Sequence, residues 1–234
     1  MATKTKIKKI KIKASDLLFL AILLYLSQFI ENLFHYLIEW TPLIDVLPLG
    51  NMWWTLILRL LCIASWVGVL WLTVKCSIKY GYDPRGVRDE VKRAEWIAPL
   101  VIAAAFIIFV ILWDGGFGAF WTALGNMGGV LESVSYLAFL VPQVVIMVLV
   151  IALSQKAFEI IFPKAWRYLP FGGLFLGVCM MVTNFITGVS AEGWTPLVLP
   201  LILAVQTLYG VVYVLTGKRA WLTFVFVYPM FFIF

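Results

Sequence analysis

Apolar residues run along this chain in seven long stretches, separated by short polar segments. We read the stretches as helices at about 16–38, 53–75, 96–113, 131–153, 168–189, 195–216 and 219–234. Most approach the ~20 apolar residues that cross the hydrocarbon core of a bilayer, and the last is short for a span. Ser15 and Asp16 read as the cap that opens the first helix. The segment 39–52 carries two prolines and a glycine and reads as a loop, and Asp83-Pro84-Arg85-Gly86 is a turn signal. Val87–Glu95 has the length of a short helix lying on the membrane. In the glycine-rich segment 114–130, Phe117, Phe120, Trp121 and Leu124 recur at helical spacing, which predicts an interfacial turn. The expected fold class is all-α, a polytopic membrane helical bundle. One transmembrane domain (16–234) follows a basic tail (1–15).

Composition agrees with that pattern. Hydrophobic residues make up 63% of the 234 and charged residues 13%, against about 45–50% and about 25% in soluble domains. Cys62, Cys76 and Cys179 fall in or beside apolar runs and follow no metal or disulfide spacing.

The net charge of +6 is distributed unevenly. Of eighteen basic residues, seventeen fall in four segments: the N-terminal tail, 75–95, 154–168 and 217–219. The segments 39–52, 114–130 and 190–194 hold none. In a seven-span layout the four basic segments share one side, which the positive-inside rule places in the cytoplasm with the N-terminus; the C-terminus then lies on the opposite side. The expected location is the cell membrane. The charge is an orientation signal and implies no nucleic-acid partner. The tail lysines, Lys4 to Lys13, suit anionic headgroups at about 1 kcal/mol each. Trp40, Trp53, Trp54, Trp113 and Trp194 mark one interface; Trp71, Trp96, Trp166 and Trp221 mark the other.

The eighteenth basic residue, Arg59, lies inside the second helix. A charge there costs about 2.5–3.5 kcal/mol and calls for a partner. Glu31 falls at a similar depth on the first helix, so an Arg59–Glu31 pair is expected. Gln28 and His35 share the Glu31 face and Glu132 opens the fourth helix nearby, which makes a polar cluster possible. The single histidine cannot build a multi-histidine metal site. No phosphate loop, dinucleotide turn or nucleophile elbow is present. No cofactor is expected.

From Leu153 onward, the order of features resembles the CAAX-protease and bacteriocin-processing (CPBP) family of intramembrane proteases. That family's pattern is a helix with EExxxR, a helix with FxxxH, a Thr-Gly-like turn and a last helix with HxxxN. Here the chain has Phe162-Pro163 after the fourth helix, Phe175 to Cys179 in the fifth, Tyr209 to Gly217 ending the sixth, and Trp221 opening the seventh. The resemblance implies a site where paired glutamates and two histidines activate water. The glutamate positions hold Ser154 and Gln155, the arginine position Glu159, the first histidine position Cys179, and the second falls near Val227 or Tyr228. No general base is retained at these positions, so a member without the catalytic residues is implied.

Three functions stay open. One is a non-catalytic accessory or structural subunit of a membrane complex, or a dead protease relative, with other membrane subunits and the bilayer as partners. Another is a transporter or carrier for a small amphipathic or lipidic substrate. The third is an enzyme, either a protease or one using Cys179 with Glu159, whose predicted depths differ.

Overall fold

The computed structural model describes residues 12–40, 51–86, 92–113, 129–162, 164–186 and 198–231. Most of the basic tail, the loop 41–50, the expected surface helix before Arg93, the glycine-rich segment and the residues around Trp194 lie outside the described residues. Among the described residues, eight α-helices follow in order: α1 (Ala14–Leu26), α2 (Ile30–Trp40), α3 (Asn51–Lys79), α4 (Arg93–Trp113), α5 (Val130–Ile161), α6 (Phe171–Ile186), α7 (Val198–Leu215) and α8 (Ala220–Phe231). Among the described residues there is no strand.

Among the described residues, four apolar rods are long enough to cross a membrane: Ala14–Leu37, Met52–Lys79, Arg93–Val110 and Val130–Ile161. Phe171–Ile186, Leu199–Leu215 and Ala220–Phe231 are apolar but shorter. A multi-pass membrane bundle is consistent with this set.

The first expected helix is divided into α1 and α2 by a 3-10 turn, Ser27–Phe29. The cause is local. The Ser27 hydroxyl donates back to the Leu24 carbonyl at 2.6 Å, and the Ser27 carbonyl accepts the Trp66 indole N–H at 2.7 Å. Hydroxyls that bond back to the preceding turn bend helices. Two other helices outrun their expected ends. α3 continues to Lys79 and α5 to Ile161, because Val74, Ser77, Gln155 and Ala157 still face protein.

α5 is the axis of the bundle. In its most apolar stretch 72% of residues are buried, against 17% in α3 and α4. α1, α3, α6 and α8 all pack on it. α3 and α5 run parallel. Arg59 meets Glu132 and Ser135, Trp66 stacks near Phe139 at 5.1 Å, and Tyr82 reaches Ala152. α8 runs the other way, so that Tyr228 reaches Leu137. α6 and α7 form the tightest crossing, through glycines. A Cβ on Gly173 would lie 2.8 Å from the Gly210 Cα and nitrogen, and one on Gly172 would collide with the Ile151 carbonyl. Small residues that let backbones meet are the usual means of joining apolar helices in lipid.

The ends of the rods define two poles. Lys79, Arg93, Ile161, Phe171, Leu215 and Ala220 come together at one, the basic end; Arg59 and Glu132 lie toward the other.

Candidate functional site

The polar cluster expected around Arg59 forms a cavity of 330 Å³ near the non-basic pole. Glu31, Asn32 and His35 of α2, Thr55, Arg59 and Cys62 of α3, and Tyr136 of α5 line it. Glu31 and Arg59 share this cavity, yet among the described residues no ion pair joins them. The Arg59 guanidinium donates to the Glu132 carbonyl at 3.0 Å and to Ser135 Oγ at 2.7 Å, and sits 5.4 Å from the Tyr136 ring centre. Glu31 is exposed and accepts from Gln143 Nε2 at 3.4 Å. Glu31 thus faces Gln143 of α5 across the cavity, while Arg59 is taken up by the first turns of the same helix. Glu132 joins this network through its backbone oxygen. Gln28 buries its amide nitrogen with no hydrogen-bond partner among the described residues. His35 is exposed on the cavity rim.

The positions carried over from the protease pattern fall elsewhere, and they do not converge. Ser154 is buried and donates back to the Val150 carbonyl at 2.5 Å. Gln155 is buried and acts as a fastener between two elements. Its Oε1 accepts the Gly172 N–H at 2.9 Å, and its Nε2 donates to the Leu169 carbonyl at 3.0 Å. The amide thus satisfies an orphan donor in the first turn of α6 and adds a second bond to the Leu169 carbonyl, which also accepts the Phe171 N–H at 2.9 Å. A carboxylate could do only the first of these.

Glu159, one turn further along α5, pairs with Lys218 and lies 3.9 Å from the Lys156 ammonium. Cys179 is half-buried on α6, seven residues beyond Gly172 and so about 10 Å along the axis from Gln155. Tyr228 donates to the Leu137 carbonyl at 3.2 Å, eighteen residues back along α5 and so about 27 Å from Gln155.

The basic end holds what sequence reasoning missed. Asp83, Gln155, Lys156, Glu159, Tyr213 and Lys218 surround a cavity of 370 Å³. Arg219 Nη2 lies 3.4 Å from Glu95 Oε2, which ties the start of α8 to the start of α4. Tyr82 donates to the Ala152 carbonyl at 3.2 Å, which leaves the Tyr213 hydroxyl, 3.3 Å away, to donate to it. Burial pushes the Tyr82 phenol up to about 12, with the bond from Tyr213 acting in the opposite direction. It therefore stays a neutral donor.

Lys218 takes a left-handed φ of 63°, directly after Gly217 at 66°. That conformation costs about 1–2 kcal/mol for a residue with a Cβ. The Glu159 pair holds it, together with Gly86, whose missing Cβ would meet the Lys218 carbonyl at 2.8 Å. One signal for this cluster was legible: Glu95, Glu159, Lys218 and Arg219 are opposite charges placed at one pole by the seven-helix layout.

Among the described residues, no group of three or more His, Cys, Asp or Glu side chains could hold a metal ion. Comparison with protein-family models, with curated proteins and with solved structures finds no match to this chain.

Proposed function

We propose that this chain is a non-catalytic integral membrane protein that serves as an accessory or structural subunit of a membrane complex. The observation that carries the reading is the Gln155 amide, bonded to both sides of the α6 entry. At the position where the protease pattern wants a base, this side chain is consumed in holding two helices together. Glu159 is likewise consumed by Lys218. The relation to the CPBP family rests on the Thr-Gly turn, Trp221 and Phe162-Pro163, and peptide hydrolysis forms no part of the proposal.

In this reading the seven rods cross the membrane in alternation, the three shorter ones included. The basic pole and the N-terminus face the cytoplasm by the positive-inside rule, and the C-terminus faces the other side. α3 and α4 present exposed apolar surface, Leu60, Val67, Ile97 and Val101 among it, to lipid or to neighbouring subunits. Extraction in a mild detergent followed by native mass spectrometry tests the proposal. The expected result is a particle heavier than one chain with a reproducible partner. A strictly monomeric particle from its native membrane would remove the accessory-subunit reading.

The 330 Å³ cavity around Arg59 supports a second reading, a carrier of a small amphipathic substrate. Uptake by reconstituted vesicles that does not change on Arg59→Ala would remove it.

A further inference from the structure

A further cavity belongs to neither polar site. It is an open groove of 810 Å³ between α3 and α8, floored by α5. Val67, Trp71 and Val74 form one wall, Trp221 and Phe224 the other, and Val148 lies in the floor. Its volume falls in the range of about 300–1,000 Å³ typical of ligand clefts. The lining is apolar until the basic end, where the Asp83–Gly86 turn closes it with Arg85 and Gly86.

The charge at that mouth is lopsided. The Lys75 ammonium lies 4.7 Å from the centre of the Trp71 ring. Lys79 follows four residues later, on the same side of α3. Both lysines are exposed, and among the described residues no carboxylate is within ion-pair distance of either. Arg85 bonds Asp83 through Nε at 2.8 Å and Nη2 at 2.7 Å, leaving Nη1 for another acceptor. Among the described residues, three cations therefore face one anion, at the level where Trp71 and Trp221 mark an interface. An apolar cleft that ends in surplus positive charge matches a molecule with a hydrocarbon tail and an anionic head. A purely apolar partner helix would fill the cleft but leave the lysines unneutralised.

We propose that the α3–α8 groove holds an acyl chain of an anionic phospholipid from the leaflet on the basic side, with the phosphate held at Lys75 and Arg85. This rests on the membrane placement proposed above and not on the accessory-subunit role. Lysines near an interface extend their charge to the headgroups while their stems stay in hydrocarbon. The hydrocarbon part requires a clear cleft, and the preference for an anionic head requires the charges.

The test uses the full chain in nanodiscs made from equal amounts of phosphatidylglycerol and phosphatidylcholine, with retained lipid read by native mass spectrometry. A photoreactive acyl-chain phosphatidylglycerol maps the contact. We expect phosphatidylglycerol to be retained over phosphatidylcholine, with crosslinks on Trp71, Val148 or Phe224. Lys75→Gln and Arg85→Gln should each lower the preference about fivefold, which corresponds to roughly 1 kcal/mol per basic residue near an anionic surface.

Val67→Trp and Val225→Trp, made separately from opposite walls, should abolish retention. Both positions are about half exposed (54% and 46%), so neither substitution overfills the core. Circular dichroism and elution as for the wild type confirm that each variant is folded. Equal retention of the two lipids, unchanged retention in both tryptophan variants, or a polypeptide found in the groove would overturn the proposal. A chain that fails to enter the nanodisc would refute the membrane placement itself.

Discussion

Replacing Gly173 by alanine adds one methyl group at the place where α6 and α7 meet most closely. The new Cβ would lie 2.8 Å from both the Gly210 nitrogen and Cα, and closer still to the Gln206 carbonyl oxygen, whereas ordinary contact begins at 3.4 Å. The obstacles are backbone atoms, so no side chain can rotate away. The nearest of them, the Gln206 carbonyl oxygen, sets the separation, so the helices must part by about 1 Å at the crossing. Overpacking of this kind costs about 1–3 kcal/mol, and helical alanine returns only about 0.5–1 kcal/mol relative to glycine.

Gly68 of α3 is the internal control, because a Cβ there meets nothing within 4 Å. Gly68→Ala should therefore be stabilising by the propensity term alone. The propensity gain is common to both, so the two variants should differ by the overpacking cost, about 1–3 kcal/mol in unfolding free energy, with Gly173→Ala the less stable. Reversible unfolding in mixed micelles with added dodecyl sulfate, followed by circular dichroism, measures the gap. Equal stability of the two variants would refute the reasoning, since it would mean that the crossing is not set by backbone contact. Gly210→Ala approaches the same contact from α7, at 2.7 Å from Gly173, and should behave like Gly173→Ala.

Gln155→Leu removes the acceptor for the Gly172 N–H and the donor to the Leu169 carbonyl. It should destabilise by about 1–3 kcal/mol for the Gly172 N–H left unpaired, since the Leu169 carbonyl keeps the Phe171 N–H, and speed amide exchange in the first turn of α6; unaltered exchange there would count against the fastener role. Tyr82 yields a pH prediction. Its folded value of about 12 stands above the ordinary phenol value of 10.0, so the unfolded chain ionises first. Stability should be level below about pH 10 and fall as pH rises toward about 12, by an amount on the order of 2 kcal/mol. Tyr82→Phe should flatten that limb in a thermal melt series, and an unchanged limb would show that another group governs it.

How far the sequence reaches is visible in particular residues. The apolar stretches were legible because in lipid the backbone must satisfy itself within each helix, so length and hydropathy alone mark the rods. The common pole of Lys75–Arg93, Lys156–Arg167 and Lys218–Arg219 was legible for a related reason: alternation of rods places every second connection together. The Arg59 partner was not. Depth counting put Glu31 opposite it on the assumption of a straight first helix, and Ser27 spends its hydroxyl and carbonyl on bonds that interrupt that helix. The closest bonds to Arg59 come from α5, a helix 73 residues away in sequence, which depth counting on neighbouring helices does not reach. Gln155 is a similar case. Its residue type announced only the loss of a carboxylate, and its role depends on where the chain re-enters at Gly172.

The basic residues bear two roles that counting them does not separate. Arg219 is held by Glu95, Lys218 by Glu159 and Arg85 in part by Asp83. These cations are fasteners of the bundle end, joining α8 to α4, the turn after α7 to α5, and the loop after α3 to itself. Lys75 and Lys79 make no such pair among the described residues. They remain available to whatever lies beside α3. A topology argument weighs all five alike, because insertion acts on the unfolded segment before any pair has formed. A binding argument weighs them by what is left after folding. Lys75 sits over Trp71 at the wall of the apolar groove and Arg85 lines its mouth, whereas Lys218, the cation paired with Glu159, borders the small polar cavity. That separation is why recognition of an anionic amphiphile is assigned to the side of the bundle and not to its end.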